Sequence, residues 1–169
     1  TGDLVWQAAD IRTRGFMMGA TAGRTTLLGE GLQHQDGHSL ILASTVPAVQ
    51  AYDPAFAYEL GAIVKAGLDR MYGPDSTENG GQLDPDVIYY ITLYNETYVM
   101  PALGAEHAAE FEVGAVRGLY KWAEAPEGPS KRATILFSGI SHAAAREAVG
   151  ELAEHYDVAA ELWSATSYK

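Results

Sequence analysis

The sequence predicts an α/β fold, and three observations carry that prediction. An amphipathic helical stretch at 54–72 is followed by a polar loop and then by VIYYITL at 87–93, a run with the β-branched and aromatic content of a buried strand. Nearer the C-terminus, strand-like 133–137, a helical pattern after Ser141 and strand-like 158–163 make one βαβ unit, whose strands should run parallel with a right-handed crossover. No apolar run approaches the roughly 20 residues of a membrane-spanning helix.

Each element has a local reason. Residues 4–11 carry apolar side chains at 4, 5, 8 and 11, a helical spacing that Arg14-Gly15 interrupts. Glycines at 15, 19, 23, 29, 31 and 37 imply repeated turns or close backbone approach, a property of ligand-facing loops. In the helix at 54–72, Asp53 is the expected N-cap and Pro54 the first helical residue, where a missing N–H costs nothing. Phe56, Leu60, Ile63, Val64, Leu68 and Met71 form its apolar stripe, and Gly73-Pro74 ends it. Periodicity fades from 104 to 131, and APEGP at 125–129 is the most linker-like segment. Beyond it, Ser141 is the expected N-cap of a helix presenting Ala145, Ala148, Val149 and Leu152.

Charge and composition narrow the partners. With 22 acidic and 11 basic residues the formal net charge is -11, which argues against nucleic acid or an anionic membrane as the main partner. The absence of cysteine excludes disulfides, thiolate metal sites and a thiol nucleophile, and is compatible with the expected cytoplasmic location. Thr1 opens the chain with neither an initiator Met nor a signal-like core, and the other end stops just after a strand. Both ends read as cut from a longer chain.

The strongest chemical candidate is the loop LGEGLQHQDGH at 28–38. Glu30 and His34, then Asp36 and His38, pair carboxylate with imidazole among glycines, the equipment for proton transfer. On spacing alone these residues read first as polar side chains satisfying nearby backbone, with proton transfer the competing reading. A metal site at His34, Asp36 and His38 is a third, weakened by the lack of an H-E-x-x-H pattern. GATAGRTT at 19–26 departs from a phosphate-binding loop in glycine spacing and in having Arg24 where a Lys belongs. Arg24 is left either to pair with a ligand's carboxylate or phosphate or to form a structural salt bridge. Tyr89, Tyr90, Tyr94 and Tyr98 read as packing residues with hydroxyls at the rim, and Asp75, Glu78, Asp84 and Asp86 as a solvated acidic loop.

RGFMMGATAGRTT at 14–26, continued by GEGLQHQDGHS at 29–39, resembles the homodimeric bacterial pyruvate dehydrogenase decarboxylating family. So do YDPAFAYEL at 52–60, GLDRMYG at 67–73, YYITLYNE at 89–96 with Met100-Pro101-Ala102, and GLYKW at 118–122. Transketolase and other two-carbon-transfer enzymes carry an acidic residue and a histidine at similar spacing, but lack the GEGLQHxDGHS pattern. The resemblance implies part of a transketolase-like, thiamine-diphosphate-binding pyrimidine domain over 1–121, a linker at 122–131, and the first βαβ unit of an α/β C-terminal domain over 132–169.

The implied chemistry is decarboxylation of pyruvate on thiamine diphosphate and transfer of the two-carbon unit to the lipoyl domain of dihydrolipoyl acetyltransferase, in a homodimer. By resemblance, His34 and Glu30 are the catalytic positions, with Gln33, Asp36, His38 and Arg24 supporting. The family holds Mg²⁺ and the diphosphate through a Gly-Asp-Gly motif followed by an Asn, which this chain lacks, so no metal ligand is expected here. The glutamate that activates the aminopyrimidine is expected upstream of Thr1. Two alternatives stand beside this reading: a non-catalytic remnant or assembly module of the same ancestry, and a transketolase-like enzyme.

Overall fold

Short apolar strands framed by helices form two three-stranded sheets. The structure, a computed structural model, describes residues 2–20, 36–103 and 108–169. The first sheet contains β1 (Gly15–Gly19), β2 (Val49–Tyr52) and β3 (Ile88–Thr92) in the order β1-β3-β2, all parallel. Gly15 stands opposite Ile88 on one side of β3, and Val49 stands opposite Ile88 on the other.

Both faces of this sheet are covered, which is why β3 reads as a continuous apolar run rather than an alternating one. On one face α3 (Ala57–Tyr72) packs Ile63 and Met71 against Tyr52, Val87, Tyr89 and Ile91. A Cβ at Gly67 would collide with the Phe16 ring, so the helix lies close on the sheet at that point. Beneath α1 (Gly2–Asp10) and α2 (Ser39–Ser44), the other face buries Val46, Val49, Ala51 and Ile88.

The second sheet orders β4 (Leu119–Ala123), β5 (Lys131–Phe137) and β6 (Val158–Ala165) as β4-β6-β5. β5 and β6 are parallel, joined through a 3₁₀ turn (Gly139–Ser141) and α5 (His142–Tyr156), as the βαβ pattern predicts. β4 runs antiparallel to β6, with a register shift between Lys121 and Ala123. Trp122 and Ala123, the first residues of the segment read as linker, are thus strand residues. Between the sheets lies a seam of Ala55, Phe56, Phe137, Ala145 and Leu162, flanked by Trp122 and Tyr98.

Several local expectations need correction. α3 begins at Ala57, and Asp53 does not cap it. The helix start is closed by Glu59, whose Oε2 accepts from the amides of Ala55 (2.6 Å) and Phe56 (3.1 Å), while Asp53 is drawn into contacts with β3. Leu68 is exposed rather than part of the buried stripe. Ser141 makes no side-chain cap on α5, because its hydroxyl turns back to the amide and carbonyl of Ser138. Residues 104–131, which lacked periodicity, include α4 (Ala108–Arg117) and β4. In that stretch Gly114 sits where a Cβ would strike Tyr120, and Gly118 turns the chain at φ 105°. Helical spacing is blurred there because glycine takes the place of an apolar contact residue.

Candidate functional site

In open sheets with parallel strands, ligands bind in the crevice beyond the strands' carboxyl ends. In the first sheet those ends are Gly19, Tyr52-Asp53 and Thr92-Leu93-Tyr94. Asp53, only 2 % exposed, is the organising residue. Its carboxylate accepts from Thr92 Oγ1 (2.5 Å) and from the Tyr94 hydroxyl, its amide donates to the Thr166 carbonyl (2.7 Å), and its carbonyl accepts from the Gly139 amide (3.1 Å). One residue therefore joins β2, β3, the 3₁₀ turn of the βαβ unit and the segment after β6.

Gly139 is required by this geometry. Its φ of 48° is in the left-handed region, and a Cβ would overlap the Tyr94 hydroxyl and approach Asp53 Oδ1 to 2.7 Å. At the end of β1, a Cβ on Gly19 would likewise overlap the Tyr90 hydroxyl. That phenol is the link to the predicted loop. Burial pushes it above its ordinary range, a hydrogen bond with Ser39 opposes this, and the carboxylates of Asp36 and Asp53 act in the same direction as burial. Asp36 in turn shapes the start of α2: Oδ1 accepts from the amides of Ser39 (3.0 Å) and His38 (3.3 Å), and Oδ2 from Ser39 Oγ (2.5 Å).

Of the predicted site residues, the structure therefore places Asp36 in a local backbone-ordering role near Tyr90. His38 is exposed at the head of α2. Arg24, Glu30, Gln33 and His34 lie outside the described residues. Among the described residues no group of three His, Cys, Asp or Glu is assembled to hold a metal, and Asp53 is engaged by two hydroxyls. The described residues thus do not form a fit for a metal-bound diphosphate, and no step is assigned through one.

Two clefts flank the crest. One of about 310 Å³, largely apolar, lies between α2 and the last residues of the chain, with Leu40, Ile41, Asp53 and Tyr168 among its walls. The other, about 140 Å³, is lined by Pro54, Phe56, Tyr94, Glu96, Tyr98 and Met100. Sequence reasoning missed Asp53, Tyr94, Tyr90 and Gly139 as members of one arrangement. The available signal was Asp53-Pro54 directly after a short apolar run, which helix-capping logic explained too readily.

Residues 1–101 match the model of the pyruvate dehydrogenase E1 component middle domain. Over 168 residues the chain is 52 % identical to the pyruvate dehydrogenase E1 component of Mycobacterium tuberculosis, and over 169 residues 53 % identical to that of Mycolicibacterium smegmatis. The Escherichia coli K12 protein of the same name is 47 % identical. In each case the match covers 99 % of this chain and 17 % of the relative, so the chain spans about a sixth of their length. In fold the chain is similar to transketolase from Leishmania mexicana (TM-score 0.68, 16 % identity) and to a Pichia stipitis transketolase complex (TM-score 0.65, 16 % identity). Each likeness covers 98 % of this chain and 21 % of the solved one.

Proposed function

Because the chain belongs to the pyruvate dehydrogenase E1 component family, we propose that it supplies one wall of an active site that decarboxylates pyruvate oxidatively. The observation that carries this reading is the position of the Asp36–Ser39 turn. It closes the GEGLQHQDGHS run and neighbours Tyr90, a mid-strand residue whose hydroxyl lies against Gly19 at the carboxyl end of β1, the place where such sheets receive ligands.

On this reading His34 moves a proton at the substrate-derived group or hydrogen-bonds it, and Glu30 orients and tunes the imidazole. Gln33, Asp36, His38 and Arg24 support the loop; for Asp36 the support is the ordering of the amides of His38 and Ser39. Thiamine diphosphate with Mg²⁺ would supply the electron sink in the complete enzyme, its metal ligands lying outside this chain. The acetyl unit would pass to the lipoyl group of the acetyltransferase partner, and a second copy of the parent chain would complete the site. The division into 1–121 and 132–169 about the segment 122–131 belongs to the same proposal, with β4 reaching across to pair with β6.

The deciding experiment is His34→Ala in the full-length enzyme. Turnover should fall by roughly 10²-fold or more, the scale of a lost acid–base group. Unchanged turnover would leave His34 a structural residue. In calorimetry, the 169-residue chain alone should show no detectable heat with thiamine diphosphate and Mg²⁺. Tight binding there would overturn the assignment of the metal ligands to other parts of the enzyme.

A further inference from the structure

His142 opens α5 with its side chain in the apolar seam between the two sheets, and it is only 2 % exposed. Among the described residues neither ring nitrogen has a hydrogen-bond partner. The ring lies 4.4 Å from Tyr98 and 5.1 Å from Phe56, centroid to centroid. Tyr98 directs its own hydroxyl to the Ala55 carbonyl, so it offers the imidazole its ring and not its hydroxyl. An apolar ring would fill this space without orphaned nitrogens. The property that histidine adds is a charge gained between pH 5 and 8.

We propose that His142 is a pH-sensitive latch: neutral, it lets residues 94–103 close onto α5, and protonated, it releases them. The segment in question follows β3 and contributes Tyr94, Glu96, Tyr98 and Met100 to the cleft beside the Asp53 crest. Closing it therefore shapes one flank of the candidate site. Opening gives the imidazole water and a free path to its proton.

The charges facing the ring favour this direction. Burial disfavours the imidazolium most, Arg146 on α5 adds to that, and Glu96 on the released segment opposes it, leaving the group below its ordinary 6.5. Arg146 itself lies over the Trp122 ring of β4, at 5.8 Å from the centroid. Tyr98 is pushed up to about 12, first by burial and then by Glu59, Glu96 and Asp53, and remains neutral throughout. From the residue that precedes α3 the ring meets Phe56, which carries no charge. With the closed-state value depressed, the latch is fully effective above 6.5 and weakens as pH falls through the window beneath it.

The test is hydrogen exchange of peptides covering 94–103 in the full-length protein at about pH 7.5 and 5.5, corrected for intrinsic exchange chemistry. The opening equilibrium should rise at the lower pH, by at most about tenfold, the limit for one proton over one unit below 6.5. In His142→Phe it should be the same at both. A wild-type protein with no pH response, or a variant that keeps the full response, overturns the proposal. Should the variant fail to fold, the wild-type imidazole C–H resonance decides the matter. A midpoint below 6.5 supports the latch, and one at or above 6.5 overturns it.

Discussion

Glu59 shows how much a single side chain holds here. Completely buried, it accepts four hydrogen bonds: two from the amides at the start of α3, one from the Tyr120 hydroxyl (2.6 Å) and one from Ser164 Oγ (2.6 Å). A buried carboxylate is tolerable when its lone pairs are filled in this way. Burial, and then the adjoining carboxylate, hold the Tyr120 phenol far above its ordinary range, so it keeps the proton it donates to Glu59. Glu59→Ala should destabilise the chain by about 3 kcal/mol or more, since four buried donors lose their acceptor, and urea denaturation would measure it. A loss under about 1 kcal/mol would mean that water replaces the carboxylate. None of this was legible from spacing, because Tyr120 and Ser164 are 61 and 105 residues away. Asp53 is the opposite case. Its helix-start signature was plain, and its pairing with Thr92, 39 residues on, was not.

Among the elements, the turn between β5 and α5 has the narrowest tolerance. Gly139→Ala combines a left-handed backbone with overlap on Tyr94, and should cost about 2 kcal/mol or more in thermal or urea unfolding. A near-neutral result would show that Tyr94 can swing aside. β4 is fastened to β6 by electrostatics as well as by its ladder. Lys121 Nζ lies 2.9 Å from Glu161, and with help from Trp163 and Thr134 it lowers that carboxyl from 4.5 to about 2. The sign follows directly: a depressed carboxyl stabilises the fold above pH 4.5 and loses that contribution as pH falls toward 2. Glu161→Gln should therefore flatten the stability profile between those values, and an unchanged acid limb would remove Glu161 from the account. The β5–α5–β6 unit was readable because its signals are local. β4 was not, because its partner β6 lies beyond a loop, a strand and a helix.

For the whole molecule, the question is whether the two sheets melt together. The aromatic seam of Phe56, Phe137 and Trp122, the Glu59 bonds to β4 and β6, and the tail contacts of Thr166 and Ser167 with α4 and β2 all cross between them. Far-UV dichroism and tryptophan fluorescence should consequently report one coincident urea transition. Two separated transitions would mean that the seam is weaker than either sheet. Sequence alone determined the α/β class, α3, β3 and the parallel βαβ unit. These four rest on periodicity or β-branched content, properties carried by neighbouring residues, while the role of the loop at 28–38 stays a proposal. Only the tertiary structure decided that Asp53, Thr92, Tyr94 and Gly139 meet, that β4 crosses into the second sheet, and that His142 is buried with no hydrogen-bond partner among the described residues. Those outcomes depend on which distant segments come into contact, and no local pattern encodes such a meeting.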